Sequence, residues 1–170
     1  ALTLLPQYSY NIEGAAWDNA GVTGSVIYNA GTGNAITLDA EPWSTNYDSE
    51  IRFAHLTVLG NASSLNGFYI RHCMIHLENV WSINNGTNGI YLERGYSSSF
   101  KQVVCANNVQ NGISINRAAN AVVFDHCVFN GNGKVAGYAG CYLNGFTDGY
   151  NLGVSFFGCD FTGNGSTVAN

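Results

Sequence analysis

Charged side chains are scarce in this chain, since they make up only 10% of its 170 residues. Lysine and arginine together number 6, and the formal net charge is -5 at pH 7. Binding to nucleic-acid phosphates requires clustered basic side chains, so this composition argues against a nucleic-acid partner. Asn, Ser, Thr, Gly and Tyr must cover most of the surface instead. Such a surface is typical of an extracellular protein or of a protein on a virion surface.

Long apolar runs and helical periodicity are also absent from the sequence. No stretch approaches the length needed to cross a bilayer, so we expect no membrane insertion. Apolar residues alternate, or fall in short β-branched and aromatic runs bounded by Asn and Gly, which predicts short strands joined by tight turns. Hydrophobic residues make up 46% of the chain, enough to fill the core of a single domain.

Patterns that bind metals are missing as well. The cysteines show no Cys-x-x-Cys spacing and the four histidines are scattered, so we expect no zinc site. No three carboxylates share one face of the predicted strands, so we expect no calcium and no other cofactor. We interpret the cysteines as mostly reduced core residues, small and apolar; they are Cys73, Cys105, Cys127, Cys141 and Cys159.

A repeat that ends in asparagine dominates what is present. The closing asparagines are spaced by 24, 23, 24 and 32 residues, at Asn61, Asn85, Asn108, Asn132 and Asn164. Apolar residues recur at fixed offsets before each of them, and the phrase Asn-Gly-apolar-x-apolar recurs after them, as in Asn88-Gly89-Ile90-Tyr91-Leu92. Repeats of this size predict a solenoid, in which each unit buries its apolar face against its neighbours.

Asparagine suits the corner of such a repeat, because it tolerates left-handed backbone and its amide can bond to neighbouring groups. Stacked repeats would place equivalent amides roughly 4.8 Å apart, the spacing between strands of a sheet. We therefore predict a hydrogen-bonded ladder through Asn61, Asn85, Asn108 and Asn132.

The two phrases resemble those of right-handed parallel β-helices of the pectate-lyase-like superfamily, which includes bacteriophage tailspikes and polysaccharide-degrading enzymes. The resemblance extends over residues 30–165 and picks out no catalytic subfamily. It implies an all-β fold, a single right-handed parallel β-helix, and the length of the chain allows about five rungs. A leucine-rich repeat is the competing solenoid, but its Leu-x-x-Leu-x-Leu framework is missing.

The domain expected from this pattern has three parts: residues 1–30 form an irregular N-terminal rung or cap, residues 31–165 the repeats and residues 166–170 a tail. The last repeat finishes at Asn164, and nothing after it could cover the exposed strand edges. We therefore expect either a fragment of a longer chain or an oligomer such as a homotrimer.

The candidate site lies on the outward side of the Asn-Gly strands, because alternation sends every second strand residue to solvent. Tyrosine rings can lie against a pyranose, and arginines can hold a carboxylated sugar by paired hydrogen bonds. The candidate carbohydrate-binding residues are Tyr69, Arg71, Tyr91, Arg94, Arg117 and Tyr142. The enzymes that the chain resembles carry their substrate cleft on this same sheet.

Glu93 and Asp39 are the candidate catalytic acid and base on that face. Two rungs separate them, so their backbones would lie roughly 10 Å apart. Rotamers could then bring the carboxyl groups to the separation of about 6.5–9.5 Å that inverting glycosidases use. Asp48 and Glu50, beside two aromatic residues in the stretch 41–48, offer a second possible site.

The same outward residues have a simpler interpretation, a solvated column of cross-strand ion pairs worth a few tenths to about 1 kcal/mol each. The sequence therefore leaves two functions open. The first is an extracellular or virion-associated protein that binds a cell-surface polysaccharide, with cleavage by a hydrolase or lyase mechanism undecided. The second is a non-catalytic structural or adhesin stalk. An ice-binding solenoid is disfavoured, because the outward columns mix Tyr, Arg and Glu.

Overall fold

The computed structural model describes residues 2–4, 8–14, 25–40, 50–117, 119–144 and 152–165. Within these ranges all regular secondary structure is β. The strands, in chain order, are β1 (Leu2–Leu4), β2 (Tyr10–Glu13), β3 (Ser25–Tyr28), β4 (Ile36–Asp39), β5 (Glu50–Leu59), β6 (Phe68–Arg71), β7 (Met74–Ile83), β8 (Ile90–Glu93), β9 (Ser99–Lys101), β10 (Val104–Ala106), β11 (Ile113–Asn116), β12 (Asn120–Asp125), β13 (Val128–Asn130), β14 (Cys141–Asn144), β15 (Leu152–Phe157) and β16 (Asp160–Thr162).

These strands form two sheets, and the described pairings are parallel throughout. The six-stranded sheet has the order β1-β4-β6-β8-β11-β14. The ten-stranded sheet has the path β15-β12-β9-β7-β10-β13-β16, with β5 beside β7 and with β2 and β3 both on β5. The chain therefore visits the two sheets alternately, and each repeat adds to both. The prediction of an all-β fold made of short parallel strands is confirmed.

A column of left-handed residues bends the ten-stranded sheet. Its φ angles lie between 51° and 58° at His55, Asn79, Gln102, His126 and Gly158. Where the bend falls inside one long strand, as in β5, the two halves pair with different strands, β2 and β3. His55 and His126 therefore occupy equivalent positions at this bend.

Apolar side chains from both sheets form a single buried cluster. Phenylalanine rings stack along the repeats, with centroids 4.6 Å apart for Phe100 and Phe124. Phe53 of β5 meets Phe68 of β6 edge-on at 5.4 Å, which joins the two sheets across the core. Ser82 is the polar exception in these columns, and its hydroxyl donates to the Gly89 carbonyl oxygen at 2.7 Å, so burial leaves no unpaired donor.

The N-terminal residues continue both sheets. Leu2 of β1 pairs with Ile36 of β4, while β2 and β3 pair in parallel with β5. Trp17 and Val22, which the sequence placed in an irregular rung or cap, and the tail 166–170 lie outside the described residues.

An amide ladder runs along one corner of the repeats, from Asn85 through Asn108 and Asn132 to Asn164. Each Nδ2 donates to the Oδ1 of the following member, at 2.8, 2.8 and 2.9 Å. Each Oδ1 also accepts the backbone N–H of the preceding member, at 3.0 to 3.1 Å. Asn85 and Asn108 are fully buried, so these bonds satisfy groups that water does not reach.

Asn61 does not join this ladder, and that part of the prediction is wrong. Its Nδ2 donates to the Asn29 carbonyl oxygen at 2.6 Å, and its Oδ1 accepts the Ser63 N–H at 2.8 Å. The reason lies in the residue before each corner, which is left-handed at the four ladder positions, as at Asn84 with φ 58°. Gly60 does not adopt that conformation, so Asn61 is oriented differently.

A second amide ladder, which the sequence interpretation missed, links the asparagines that open the Asn-Gly phrases. Asn66 donates through Nδ2 to Asn34 at 2.9 Å, Asn88 to Asn66 at 2.8 Å and Asn111 to Asn88 at 2.9 Å. Here each later amide donates to an earlier one, the reverse of the first ladder. The two rows of amide dipoles therefore oppose each other along the stack.

The five cysteines are all free. Cys73, Cys105 and Cys127 are buried in the core, and Cys141 and Cys159 are half-buried near its last strands. The interpretation as mainly core residues is confirmed, and their reduced state stays a prediction.

Candidate functional site

The predicted site residues of the Asn-Gly strands do share one side of the six-stranded sheet. Parallel register aligns one column through Thr37, Tyr69, Tyr91, Ser114 and Tyr142, and a second through Asp39, Arg71, Glu93, Asn116 and Asn144. We call the surface formed by these two columns the outer face. The alternate residues of the same strands point into the core, as Ile90 and Leu92 show with 0% exposure.

The outer face is less exposed than the sequence suggested. Glu93 is only 6% exposed and Arg94 only 9%. The expectation that these two side chains face open solvent is therefore wrong. Strands about 4.8 Å apart bring long neighbouring side chains into contact, and these cover one another. Tyr142, on the last strand of this sheet, is 44% exposed and is the most accessible of the three tyrosines.

Tyr69 and Tyr91 stack on each other across β6 and β8. Their ring centroids are 5.1 Å apart and the planes differ by 9°. One face of each ring is therefore covered by the other ring. A sugar laid over the pair would contact the edges of the rings. Ser114 interrupts the column after Tyr91, so Tyr142 has no aromatic partner on the adjacent strand β11.

The tyrosine hydroxyl groups bond to charged neighbours on the same strand. Arg71 Nη1 donates to Tyr69 Oη at 3.2 Å, and Tyr91 Oη donates to Glu93 Oε2 at 2.9 Å. Burial, and then this bond to the Glu93 carboxylate, raise the pKa of the Tyr91 hydroxyl well above its usual range. Tyr91 therefore remains a protonated hydrogen-bond donor to Glu93 at any ordinary pH.

Two ion pairs complete the network. Asp39 Oδ1 lies 3.5 Å from Arg71 Nε, and Glu93 Oε1 lies 3.3 Å from Arg117 Nη1. Both oxygens of Glu93 thus have partners, one on its own strand and one at the end of β11. The Arg117 side chain is 43% exposed, whereas that of Glu93 beneath it is 8% exposed. Arg117 therefore offers the accessible part of this pair.

The two candidate catalytic carboxylates are in register but lie on non-adjacent strands. Arg71 of β6 separates Asp39 of β4 from Glu93 of β8, so the two backbones are about 10 Å apart. Asp39 pairs toward β6, while Glu93 pairs with Arg117 on the opposite side, toward β11. The Glu93 ion pair therefore draws that carboxyl group away from Asp39, and Arg71 stands between the two carboxylates.

The residues that directly follow β6, β8 and β11 have left-handed backbone and form a second corner. His72, Arg94 and Arg117 have φ angles of 56°, 52° and 52°. Such backbone is uncommon for residues other than glycine and marks positions worth inspecting for function. Their recurrence one residue after each Asn-Gly strand was visible in the sequence, but the backbone conformation was not inferred from it.

A further polar cluster, which the sequence interpretation did not identify, lies on the outer side of the ten-stranded sheet. Ser99 Oγ is 2.7 Å from His76 Nδ1, and Glu50 Oε1 is 3.7 Å from His76 Nε2. A cavity of about 360 Å³ adjoins it, lined by Ser9, Tyr10, Asn11, Glu50 and Arg52. Glu50 thus belongs to a polar site, whereas Asp48 and the rest of 41–49 lie outside the described residues.

Neighbouring charges on that sheet also pair. Glu78 accepts hydrogen bonds from Arg52 at 2.9 Å and from Lys101 at 3.2 Å. These two bonds lower the pKa of the Glu78 carboxyl. The described parts of the chain contain no group of three or more His, Cys, Asp or Glu side chains that could hold a metal ion. They also contain no helix of the length and apolarity that crossing a membrane requires.

Comparison with protein-family models, with curated proteins and with solved structures yields no match to this chain.

Proposed function

We propose that the chain is a polysaccharide-binding protein built as a single right-handed parallel β-helix of the pectate-lyase-like kind. The alternating visits to two parallel sheets support this fold, because one turn of such a helix adds a strand to each sheet. The amide ladders support it too, since they join equivalent corners of successive repeats. The outer face of the six-stranded sheet is the proposed glycan surface, and the protein acts outside the cell or on a virion.

The observation that carries this function is that Arg117, Glu93 and Tyr91 meet on the same outer face that carries an accessible Tyr142. Glu93 holds the Arg117 guanidinium at 3.3 Å, so the exposed donors of Arg117 are oriented before any ligand arrives. Tyr142 lies on the neighbouring strand β14 and offers an aromatic surface to the same ligand. A cation and an aromatic ring on one face suit a carboxylated or hydroxyl-rich sugar.

The more buried residues have a supporting role in this proposal. Tyr69 and Tyr91 keep their rings fixed by stacking, and Arg71 holds both the Tyr69 hydroxyl and Asp39. A ligand would therefore meet a surface whose side chains are already ordered, which reduces the entropy lost on binding. Arg94 is nearly buried, so it contributes to the shape of the surface and less to direct contact.

A glycan array probed with the fluorescently labelled chain tests this function. Arg117→Ala and Tyr142→Ala should each weaken binding about 10- to 100-fold, the loss expected for a charged hydrogen bond or a stacking contact. Lys134→Ala and Tyr28→Ala are matched controls, because they remove a cation and an exposed tyrosine elsewhere. Binding that survives Arg117→Ala and Tyr142→Ala unchanged, or no binding to any glycan, would contradict the proposal.

Cleavage is a separate part of the proposal, with Glu93 as the acid and Asp39 as the base on a bound glycan. Glu93→Gln should then abolish product formation while the glycan still binds, and Asp39→Asn should do the same. Because Glu93 is buried and paired, each variant needs its urea midpoint measured alongside. If wild type releases no product from a glycan that it binds, the outer face binds the glycan without cleaving it.

A structural or adhesin stalk module is the second candidate function. Its support is that the polar groups of the outer face largely satisfy one another, as Tyr91, Glu93 and Arg117 do. Such a module would extend a fibre by association, for which a homotrimer is the expected form. Light scattering of the purified chain together with the glycan array distinguishes the two, because a stalk should be a stable oligomer without glycan affinity.

A further inference from the structure

A second site of chemical interest is the cluster of Ser99, His76 and Glu50 on the ten-stranded sheet. His76 of β7 and Ser99 of β9 are register partners on adjacent strands. Both are half-buried, while their strand neighbours Leu77 and Phe100 point into the core. The register therefore directs a hydroxyl and an imidazole to the same side, where they meet at 2.7 Å.

The arrangement has the three parts of an activated nucleophile. The Ser99 hydroxyl is within hydrogen-bond distance of a ring nitrogen of His76. The other ring nitrogen faces the Glu50 carboxylate at 3.7 Å, beyond hydrogen-bond distance but close enough for an ion pair once the imidazole is protonated. A hydroxyl, a base bonded to it and a third group that orients the base are together the geometric signature of covalent catalysis. Side-chain exposures of 29% for His76 and 67% for Glu50 leave the cluster open to a small substrate.

We propose that Ser99 is a nucleophile that hydrolyses small acyl esters, with His76 as general base and Glu50 as the group that stabilises its imidazolium form. This activity is independent of glycan binding, because it uses the other sheet. It requires the His76 tautomer with the proton on Nε2, facing Glu50, and a lone pair on Nδ1, facing Ser99.

The reaction needs only the ester and water. Ser99 Oγ bonds to the ester carbonyl carbon as its proton passes to His76 Nδ1, and the carbonyl electron pair moves onto the oxygen. The intermediate reforms the carbonyl and breaks the bond to the alcohol, which takes the proton from Nδ1. A water molecule then attacks the acyl-serine, gives one proton to Nδ1 and releases the carboxylic acid, while Ser99 regains its proton.

The surroundings offer room and charge for such a substrate. Lys101 follows Ser99 by two residues on the same side of β9, roughly 7 Å away. Its ammonium bonds to Glu78 at 3.2 Å and would have to leave that carboxylate to meet the developing oxyanion. Val123, the register partner of Ser99 on β12, is 36% exposed and offers an apolar contact to a short acyl chain. On the opposite side of His76, the cavity beside Glu50 and Arg52 can receive the alcohol part.

Labelling with a fluorophosphonate probe, followed by peptide mass spectrometry, tests the nucleophile directly. Wild type should carry one adduct on Ser99, and the label should be absent in Ser99→Ala. His76→Gln should slow labelling about 100-fold or more, the contribution expected of a positioned general base. Ser155→Ala is the matched control, because Ser155 occupies the same column two strands away, beside Val123. This variant should still be labelled on Ser99, at the wild-type rate.

Hydrolysis of p-nitrophenyl acetate by the same variants gives the second readout. The rate should fall with Ser99→Ala and His76→Gln, fall less with Glu50→Gln, and stay unchanged in Ser155→Ala. Urea midpoints establish that each variant is folded. Wild-type protein without an adduct on Ser99, or labelling at an equal rate in His76→Gln, would show that the pair is only a hydrogen bond between neighbouring strands and would overturn the proposal.

Discussion

Asn108 provides the sharpest test of the amide ladder, because its side chain makes four hydrogen bonds while being fully buried. Its Nδ2 donates to Asn132 Oδ1 at 2.8 Å and to the Ser82 carbonyl oxygen at 3.2 Å. Its Oδ1 accepts from the Asn85 N–H at 3.0 Å and from Asn85 Nδ2 at 2.8 Å. Replacement by alanine removes all four at once.

The expected loss follows from which groups keep a partner. Asn132 Oδ1 still accepts the Asn108 backbone N–H, and Asn85 Nδ2 still reaches Ser82 Oγ. The Asn85 N–H and the Ser82 carbonyl oxygen lose their bond to the Asn108 side chain. At about 1–3 kcal/mol for each of these two buried groups left unsatisfied, Asn108→Ala should lower the free energy of unfolding by roughly 2–6 kcal/mol.

Urea unfolding followed by circular dichroism measures this loss. Asn120→Ala is the exposed control and should change stability by less than about 0.5 kcal/mol. Asn61→Ala is the stricter comparison, because Asn61 closes a repeat but stands outside the ladder, and its loss should be intermediate. Equal unfolding midpoints for Asn108→Ala and Asn120→Ala would refute the ladder as a source of stability.

Three further predictions concern the core, the corners and the surface charges. At pH 8 a thiol reagent should react slowly with native protein and faster as the pH rises, because burial raises the pKa of the thiols of Cys73, Cys127 and Cys141 to about 12 each. Denatured protein should release five thiols, because all five cysteines are free. Gly89→Ala should destabilise the fold strongly, since a Cβ there would lie 2.7 Å from a backbone oxygen of the next repeat, whereas Gly33→Ala meets no atom within 4 Å and should be tolerated. Glu78→Gln should lower the free energy of unfolding at pH 7 by roughly 0.5 kcal/mol. Arg52 and Lys101 lower the pKa of the Glu78 carboxyl below its ordinary 4.5. The difference from wild type should therefore disappear as the pH falls from 4.5 through this lowered pKa, where the carboxylate becomes protonated.

The periodicity of the sequence was enough to predict the strands and which of their side chains point into the core. Burial of Phe53, Phe100 and Phe124 at 0% exposure follows from apolar residues that recur at one offset in successive repeats. The ladder through Asn85, Asn108 and Asn132 follows from the same recurrence. These features depend on spacing along the chain, which the sequence states directly.

Local backbone conformation and side-chain pairing could not be obtained in the same way. Asn61 has the same sequence context as the ladder asparagines, yet the different backbone at Gly60 turns it aside. Glu93 alternates outward as predicted, but its burial depends on where Arg117 and Tyr91 direct their long side chains. The contact between His76 and Ser99 joins residues 23 apart, and a slip of one position between their strands would abolish it.

Chemical-shift mapping with ring-labelled tyrosine tests the central functional claim most directly. The chain is titrated with a glycan that it binds on an array, and the tyrosine ring signals are followed. Binding at the outer face predicts shifts of Tyr142 and Tyr91, with Tyr10 and Tyr28 of the ten-stranded sheet unchanged. Shifts confined to Tyr10 and Tyr28, or a glycan that binds without moving Tyr142 and Tyr91, would contradict it.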